Sequence, residues 1–211
     1  MNPGFWQQKW EKNEIGFHEG RPNSLLVTHF NTLGLTQGAR VFLPLCGKTV
    51  DIVWLLSKGY RVAGAELSQL AIKQLFTELG ITPAIATIGK LLHYSAANID
   101  IFIGDIFDLS KATLGQIDAS YDRAALVALP EPTRAKYTKH LLDITDKATQ
   151  LLLTFEYDQS LMDGPPFSLS SDEIRRRYQV AYQLTLLESR PVAGGMKGLG
   201  AATESAWLLK K

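Results

Sequence analysis

The pattern of apolar and polar positions changes period repeatedly along the chain. Short runs of aliphatic and β-branched residues are typical of strands, and the stretches between them repeat their apolar residues every three or four positions, as helices do. The predicted strands lie near Arg40–Leu45, Arg61–Glu66, Ile99–Gly104, Tyr121–Ala128, Leu151–Tyr157, Tyr182–Glu188 and Glu204–Leu209. The predicted helices include Val50–Ser57, Gln69–Leu79 and Glu131–Thr145. This alternation predicts an α/β fold with a doubly wound, mostly parallel, seven-stranded sheet.

The two ends of the chain depart from this alternation. Residues 1–35 predict helix, loop and helix, with the loop around Gly16–Pro22, and we expect them to form an N-terminal helical cap. Near the other end, Arg190–Gly200 is rich in turn residues and has no helical period. A hairpin there adds an antiparallel strand at the edge of the sheet.

Composition narrows the class of protein. The chain has 211 residues, of which 45% are hydrophobic and 20% charged, so we expect a single domain over 1–211. A net charge of +1 without long runs of one sign predicts no nucleic-acid partner. Cys46 is the single cysteine, and the chain has neither a leader-like start nor an apolar run near the ~20 residues that a membrane span needs. We therefore expect a soluble cytoplasmic protein.

The first predicted strand and the loop after it carry the strongest signal of a ligand site. The strand runs into Leu45-Cys46-Gly47, and Glu66 ends the next strand 19 residues after the glycine, a layout typical of nucleotide-type sites in parallel sheets. A pyrophosphate is disfavoured because one glycine stands where a dinucleotide fingerprint has three. A nucleoside with an amino-acid tail can lie across Leu45–Gly47, although an ordinary tight turn explains the glycine equally well.

Two acidic residues at strand ends are candidates for binding the nucleoside. Glu66 can accept hydrogen bonds from both hydroxyls of a ribose, or it can serve as a helix-cap acid. Ser68 already supplies a cap for the next helix, which favours the ligand. After the third strand, Asp105 can bind an adenine amino group while an apolar neighbour packs on its ring, although aspartates after strands are also ordinary turn formers. Asp108 is assigned to the turn.

Arg123 follows Asp122 in an otherwise apolar predicted strand. A guanidinium is rarely buried without a partner, so Arg123 pairs with Asp122, with another carboxylate or with a ligand. Neighbours in a strand point to opposite faces, which weakens the pairing with Asp122. We therefore interpret Arg123 as a cation of the site.

The N-terminal segment carries the aromatic residues Trp6, Trp10, Phe17 and His18 within a short span. They either pack the segment onto the sheet or offer aromatic faces to a sulfonium cation. No other histidine, cysteine or carboxylate stands at metal-binding spacing from His18, so no metal is predicted. Cys46 has no base at nucleophile spacing and is interpreted as a packing residue.

Taken together, these motifs resemble the bacterial thiopurine S-methyltransferases over nearly the whole chain. The resemblance rests on Phe5-Trp6 to Trp10, Gly16-Phe17-His18, Phe42 to Lys48, Gly64 to Ser68, Gly104 to Leu109, Tyr121 to Leu126, and Gly164-Pro165-Pro166-Phe167. The last motif is similar to one that other methyltransferases use on amines, but it follows the fifth predicted strand instead of the fourth. We therefore expect a rigid loop over the acceptor, with Pro166 in contact with it.

The resemblance implies a Rossmann-like enzyme that methylates the sulfur of aromatic or heterocyclic thiols with S-adenosylmethionine. By resemblance, the residues that contact the cofactor are Trp10, Leu45, Gly47, Glu66 and Arg123. Asp105 and Ile106 lie around its adenine, and residues 1–35 cap the active site. The resemblance also implies that Phe17 lies near the acceptor and that Arg123 contacts the acceptor as well as the cofactor. The family has a basic residue near the acceptor late in its sequence, and Lys197 is the candidate for it, although the stretch around Lys197 departs from the family's pattern. A monomer acting on a small thiol, without nucleic acid or membrane, is expected.

Three alternatives remain open from the sequence. The physiological acceptor can be a selenium or tellurium species, as family members suggest. A nicotinamide-dependent oxidoreductase is disfavoured by the missing glycines. A non-catalytic binding module with the same fold is less consistent with a complete set of candidate contacts.

Overall fold

The central feature is one mixed sheet, seen in a computed structural model that describes residues 3–211. Its nine strands are β1 (Arg40–Pro44), β2 (Arg61–Glu66), β3 (Ala84–Ile88), β4 (Leu91–Ala96), β5 (Ile99–Ile103), β6 (Ala119–Asp122), β7 (Thr149–Tyr157), β8 (Gln183–Pro191) and β9 (Ala202–Lys210). The α-helices are α1 (Pro3–Glu11), α2 (Ser24–His29), α3 (Val50–Ser57), α4 (Gln69–Leu79), α5 (Lys111–Leu114), α6 (Glu131–Ile144) and α7 (Ser171–Tyr178). The sheet and its helices confirm the predicted α/β class.

The order of the strands creates a crevice at the middle of the sheet. The order is β3-β4-β5-β2-β1-β6-β7-β9-β8, and the five central strands from β5 to β7 are parallel. From β1 the chain first builds outward through β2 and then returns to add β6 on the other side. Ligands of open α/β sheets bind at the carboxyl ends of the strands where the order reverses, here between β1 and β6.

Helices cover both faces of the sheet and bury its apolar residues. Along β1, Phe42 packs in the core under α6 and α7, whereas Val41 and Leu43 pack in the core under α2, α3 and α4. Strands buried on both faces are continuously apolar, which is why the periodicity of β1 is weak but its position is easy to predict. The core thus holds the strand ends in fixed positions.

The prediction of seven strands was wrong, because β3 and β4 form a further hairpin. β3 pairs antiparallel with β4, and β4 pairs antiparallel with β5. Every residue of β3 is exposed, so the strand shows neither a buried run nor an alternation of buried and exposed positions. Edge strands of this kind leave little signal in the sequence.

The prediction of a fourth strand over Tyr121–Ala128 was also wrong in extent. The strand ends at Asp122, Ala124 has φ +65°, and a short 3-10 turn follows over Leu126–Ala128. A left-handed residue cannot continue a strand. Arg123 therefore lies just beyond the strand end and not inside it.

Several local predictions are confirmed. Ser68 caps α4 and accepts from the Ala71 backbone N–H, while α6 begins at Glu131 after Pro130. The predicted hairpin is the antiparallel pair of β8 and β9, and β9 joins it to β7. None of the helices within residues 3–211 is long and apolar enough to cross a bilayer.

Candidate functional site at the carboxyl ends of the parallel strands

Five segments that carry the predicted site residues follow five adjacent strands. Across the sheet they are the segments after β5, β2, β1, β6 and β7, in that order. Because parallel strands end at the same edge, the fold brings these segments to one rim of the sheet. The N-terminal segment and the loop before β9 make further contacts there.

The turn after β1 has an unusual backbone. Leu45 has φ +48° and Gly47 has φ +52°, so both lie in the left-handed region. A Cβ at Gly47 would lie 2.9 Å from the Trp10 ring, closer than such atoms approach. Trp10 itself is only 4% exposed. Glycine at 47 is therefore required both for the turn and for the docking of the N-terminal helix.

Glu66 ties the ends of β1 and β2 together. Its carboxylate accepts from the backbone N–H of Gly47 at 2.8 Å and from that of Ser68 at 2.8 Å, one bond to each oxygen. The side chain is buried, and burial raises the pKa of Glu66, while these amide hydrogen bonds oppose that shift. Each carboxylate oxygen has two acceptor positions, so the group can also accept from ligand hydroxyls.

Asp122 plays a corresponding part in the turn after β6. Its carboxylate accepts from the Leu126 backbone N–H at 3.1 Å and from the Tyr137 hydroxyl at 2.7 Å. The side chain is fully buried, and this burial raises the pKa of Asp122 to about 6. Asp122 thus anchors the turn that carries Arg123, while its own side chain faces the core.

Arg123 pairs with a residue of the N-terminal segment. Its guanidinium donates to a Glu19 carboxylate oxygen at 2.6 Å, across 104 positions of sequence. The prediction that Arg123 and Asp122 diverge is confirmed, since the two side chains have different partners. The ion pair joins the N-terminal segment to the rim of the sheet.

Aromatic rings of the N-terminal segment form a continuous cluster beside this ion pair. The Phe17 ring meets Trp6 and Trp10 edge to face, each with centroids 5.5 Å apart. Next to Phe17, burial and the nearby cations Lys48 and Arg123 lower the pKa of His18, so its imidazole is neutral at neutral pH. Lys48 is itself paired with Glu78 at 2.6 Å. The cluster presents an apolar, aromatic wall at the rim.

Asp105 and Ile106 lie at the end of β5, next to Glu66. The Gly104 backbone N–H donates to the Glu66 carbonyl at 2.9 Å, which places the two strand ends side by side. The Asp105 carboxylate accepts from the Phe107 N–H, and the Ile106 carbonyl is in hydrogen-bond contact with the His140 ring. Asp105 is exposed and Ile106 buried, as an acid at the rim and an apolar neighbour require.

The proline loop and Lys197 meet on the far side of the crevice. The Lys197 ammonium donates to the Pro165 carbonyl at 3.0 Å, and the Tyr157 hydroxyl donates to the Pro166 carbonyl at 2.5 Å. The Phe167 N–H donates to the Val127 carbonyl at 2.6 Å, so the loop lies against the segment that follows Arg123.

The residues at the rim fit S-adenosylmethionine better than a dinucleotide. The β1 turn presents a single glycine, whose N–H already binds Glu66, and so offers no cradle for a pyrophosphate. A buried carboxylate can accept hydrogen bonds from the hydroxyls of a ribose. The aromatic wall of Trp10 and Phe17 can contact a cationic ligand that carries no phosphate. No group of three or more potential metal ligands occurs within residues 3–211.

Sequence reasoning missed two residues of this arrangement. Glu19 lies in the predicted loop around Gly16–Pro22 but had no predicted role, because its partner lies 104 residues away. Asp122 was considered only as a partner for Arg123. A signal was present for Asp122, since a carboxylate that ends an apolar strand needs a buried donor.

Comparisons with known proteins agree with the fold and with the motifs. The profile of the thiopurine S-methyltransferase family matches residues 1–211. A thiopurine S-methyltransferase of Xanthobacter autotrophicus is 53% identical, with all of both chains covered, and one of Acinetobacter baylyi is 45% identical over 99% of this chain and 98% of its own.

Solved structures extend the agreement to the fold. A Burkholderia thailandensis 1,6-didemethyltoxoflavin-N1-methyltransferase gives a TM-score of 0.68 at 14% identity, covering 99% of this chain and 87% of its own. The match confirms a methyltransferase-type fold. No comparison supports the oxidoreductase, the binding module or a selenium or tellurium acceptor. The chain therefore belongs to the thiopurine S-methyltransferase family.

Proposed function

We propose that this chain methylates the sulfur of small aromatic or heterocyclic thiols, and that the rim of the sheet is its active site. Family membership makes it an S-adenosylmethionine-dependent S-methyltransferase. The supporting observation is that the β1 turn, where Gly47 meets Trp10 and Glu66, and the β6 turn, where Arg123 pairs with Glu19, follow neighbouring strands at the point where the strand order reverses.

The residues on the β1 side are proposed to hold the cofactor, which supplies an electrophilic methyl group on a sulfonium. Glu66 accepts from the ribose hydroxyls, and Leu45, Gly47 and Trp10 line the neighbouring part of the molecule. Asp105 and Ile106 are proposed to surround the adenine, since they follow the adjacent strand.

The residues on the β6 side are proposed to hold the acceptor. Arg123 orients an anionic sulfur and also borders the cofactor, while Phe17, Pro166 and Lys197 limit the space around the ring. Residues 1–35, of which 3–35 are described, act as the cap that excludes water. Alignment and desolvation of the two reactants then provide most of the rate, and no strong base is needed for an acidic thiol.

A substitution at Arg123 tests this assignment. We expect Arg123→Ala to reduce kcat/KM for a heteroaryl thiol by about tenfold or more, because one charge-assisted contact to the acceptor is lost. S-adenosylmethionine affinity, measured by calorimetry, shows how much of the loss belongs to the cofactor. An unchanged kcat/KM would remove Arg123 from the site.

An acceptor screen with labelled S-adenosylmethionine tests the reaction class. Thiopurines, simple aryl thiols, selenite and tellurite are compared at equal concentration. Methylation of the thiols supports the proposal, and faster methylation of an inorganic selenium or tellurium species contradicts the proposed acceptor class. We also propose a cytoplasmic monomer that needs no nucleic acid, which sedimentation of the purified protein and fractionation of cells can test.

A further inference from the structure

The ion pair between Glu19 and Arg123 raises a question about the acceptor. The guanidinium that is proposed to hold an anionic sulfur already has a carboxylate at 2.6 Å. One edge of Arg123 is thus engaged before any acceptor binds. An anionic acceptor must either share the guanidinium or displace Glu19.

The two partners differ in how freely they can move. The Arg123 side chain is 14% exposed, whereas that of Glu19 is 47% exposed. Glu19 can therefore leave the pair and enter water without burying its charge elsewhere. Because the incoming anion takes over the contact with Arg123, the exchange does not leave the guanidinium buried and unpaired.

Apart from Glu19, the charged and titratable groups that the structure describes next to Arg123 do not occupy its guanidinium. The neighbouring Lys48 is paired with Glu78 at 2.6 Å, and a lowered pKa keeps His18 neutral. Asp122 faces Tyr137 and not the guanidinium. Loss of the Glu19 contact therefore leaves the Arg123 guanidinium without its carboxylate partner.

We propose that Glu19 competes with the anionic acceptor for Arg123, so that Arg123 holds the acceptor while its sulfur is charged and releases it once the sulfur is methylated. The inference rests on the proposed function, because it requires the acceptor to bind beside Arg123. Glu19 is then a specificity-determining residue that favours departure of the neutral product.

The charge balance of methyl transfer explains the exchange. The thiolate sulfur uses a lone pair to form the new bond to the methyl carbon. The bond between that carbon and the sulfonium sulfur breaks, and its electron pair stays on the departing S-adenosylhomocysteine. The acceptor becomes a neutral thioether, which gives Arg123 no ionic contact, and Glu19 returns to the guanidinium.

An acceptor and its own product provide a matched pair of probes. The nitro group of para-nitrothiophenol makes the thiol acidic, so it binds as a thiolate at neutral pH, and para-nitrothioanisole has the same ring with a neutral sulfur. Binding of each is measured to the complex of the enzyme with S-adenosylhomocysteine, where no turnover occurs.

We expect Glu19→Gln to bind the thiolate about twofold to fivefold more tightly and the thioether unchanged. In steady-state assays KM for the thiol falls by the same factor. Glu14→Gln is the control, because Glu14 lies in the same segment, is 51% exposed and pairs with Lys9 at 2.6 Å. It changes neither affinity.

Three results would overturn the inference. One is an unchanged or weaker affinity of Glu19→Gln for the thiolate. Another is an equal shift for thiolate and thioether, which means that Glu19 only shapes the pocket. The third is the same gain in Glu19→Asp, which keeps the charge. Melting followed by circular dichroism checks that each variant is folded.

Arg123→Gln separates this inference from the proposed function. If it weakens thiolate binding while Glu19→Gln changes nothing, the inference fails and the role of Arg123 stands. If Arg123→Gln leaves thiolate binding unchanged, the acceptor does not use Arg123, and both the assignment and the competition are wrong.

Discussion

The turns after β1 and β6 solve the same structural problem with different partners. Each contains a non-glycine residue at positive φ, Leu45 at +48° and Ala124 at +65°, and each is held by a buried carboxylate that accepts a backbone N–H. Glu66 reaches across from the next strand, whereas Asp122 belongs to the same turn. Both acids have a pKa raised by burial.

The difference lies in where the second carboxylate oxygen points. That of Glu66 accepts from Ser68 at the strand end, next to the crevice, whereas that of Asp122 accepts from the Tyr137 hydroxyl in the core. The same device thus places one carboxylate at the rim of the sheet and the other in the core. We expect substitutions at Glu66 to affect cofactor affinity most, and those at Asp122 to affect stability most.

The largest expected effect is on stability at Asp122. Asp122→Ala leaves the Tyr137 hydroxyl and the Leu126 N–H buried without an acceptor, which costs about 2–4 kcal/mol in the free energy of unfolding. Urea denaturation at neutral pH measures the loss. A loss below about 1 kcal/mol would show that the turn does not depend on this carboxylate.

The pH dependence of stability gives a second test of the same group. The pKa of Asp122 is raised from 3.8 to about 6, so between these values the unfolded chain loses a proton that the folded chain keeps. The stabilising contribution is therefore complete below pH ~4 and is lost as the pH rises through ~6.

We expect wild type, relative to Asp122→Asn, to lose up to about 3 kcal/mol of stability between pH ~4 and pH ~7. The free energy of unfolding is measured for both proteins at both pH values. The change with pH in the variant is then subtracted from the change in wild type, so that the contributions of other titrating groups cancel. A difference that does not change with pH would contradict a raised pKa.

The next expected effect is on the cofactor. Glu66→Gln replaces one accepting oxygen by an NH2 group, which cannot accept from a ribose hydroxyl or a backbone N–H. We expect the dissociation constant for S-adenosylmethionine to rise about tenfold, or ~1.4 kcal/mol, by calorimetry. Asp122→Asn is the matched variant, and an equal rise in both would erase the distinction between the two turns.

The smallest expected effect concerns the backbone of the β6 turn. Ala124→Gly removes the strain of a left-handed alanine but adds freedom to the unfolded chain, so we expect a gain of less than about 1 kcal/mol. Thermal unfolding of the variant beside wild type measures it. A loss of stability would mean that the alanine methyl group contributes more than its strain costs.

The sequence was most informative where a strand is buried on both faces. The positions of β1, β2, β5 and β7 follow from apolar runs, and the sequence also indicated the turn at Gly47 after β1 and the carboxylate of Glu66 at the end of β2. The positive φ of Ala124 leaves no mark, since alanine is apolar and suits a strand pattern. The strand was therefore predicted to extend beyond Asp122.

Contacts between distant segments were not accessible from the pattern. Glu19 and Arg123 are each plausible surface charges, and only the fold shows that they meet. The hairpin of β3 and β4 is similarly hidden, because β3 is exposed throughout and makes its contacts through backbone pairing. The periodicity of apolar side chains indicates which positions are buried. Neither the ion pair nor the exposed hairpin depends on buried apolar side chains, so neither could be predicted from it.

The separation of Glu19 and Arg123 also sets an order of events during synthesis. The N-terminal segment is made first, but its partner at the rim appears 104 residues later, which takes about 5–20 s at ordinary rates of translation. During that interval Glu19 is without its partner, although the Gly47 turn that contacts Trp10 has already been made. The helix that carries Trp10 can therefore dock on the β1 turn before the ion pair between Glu19 and Arg123 joins the N-terminal segment to β6.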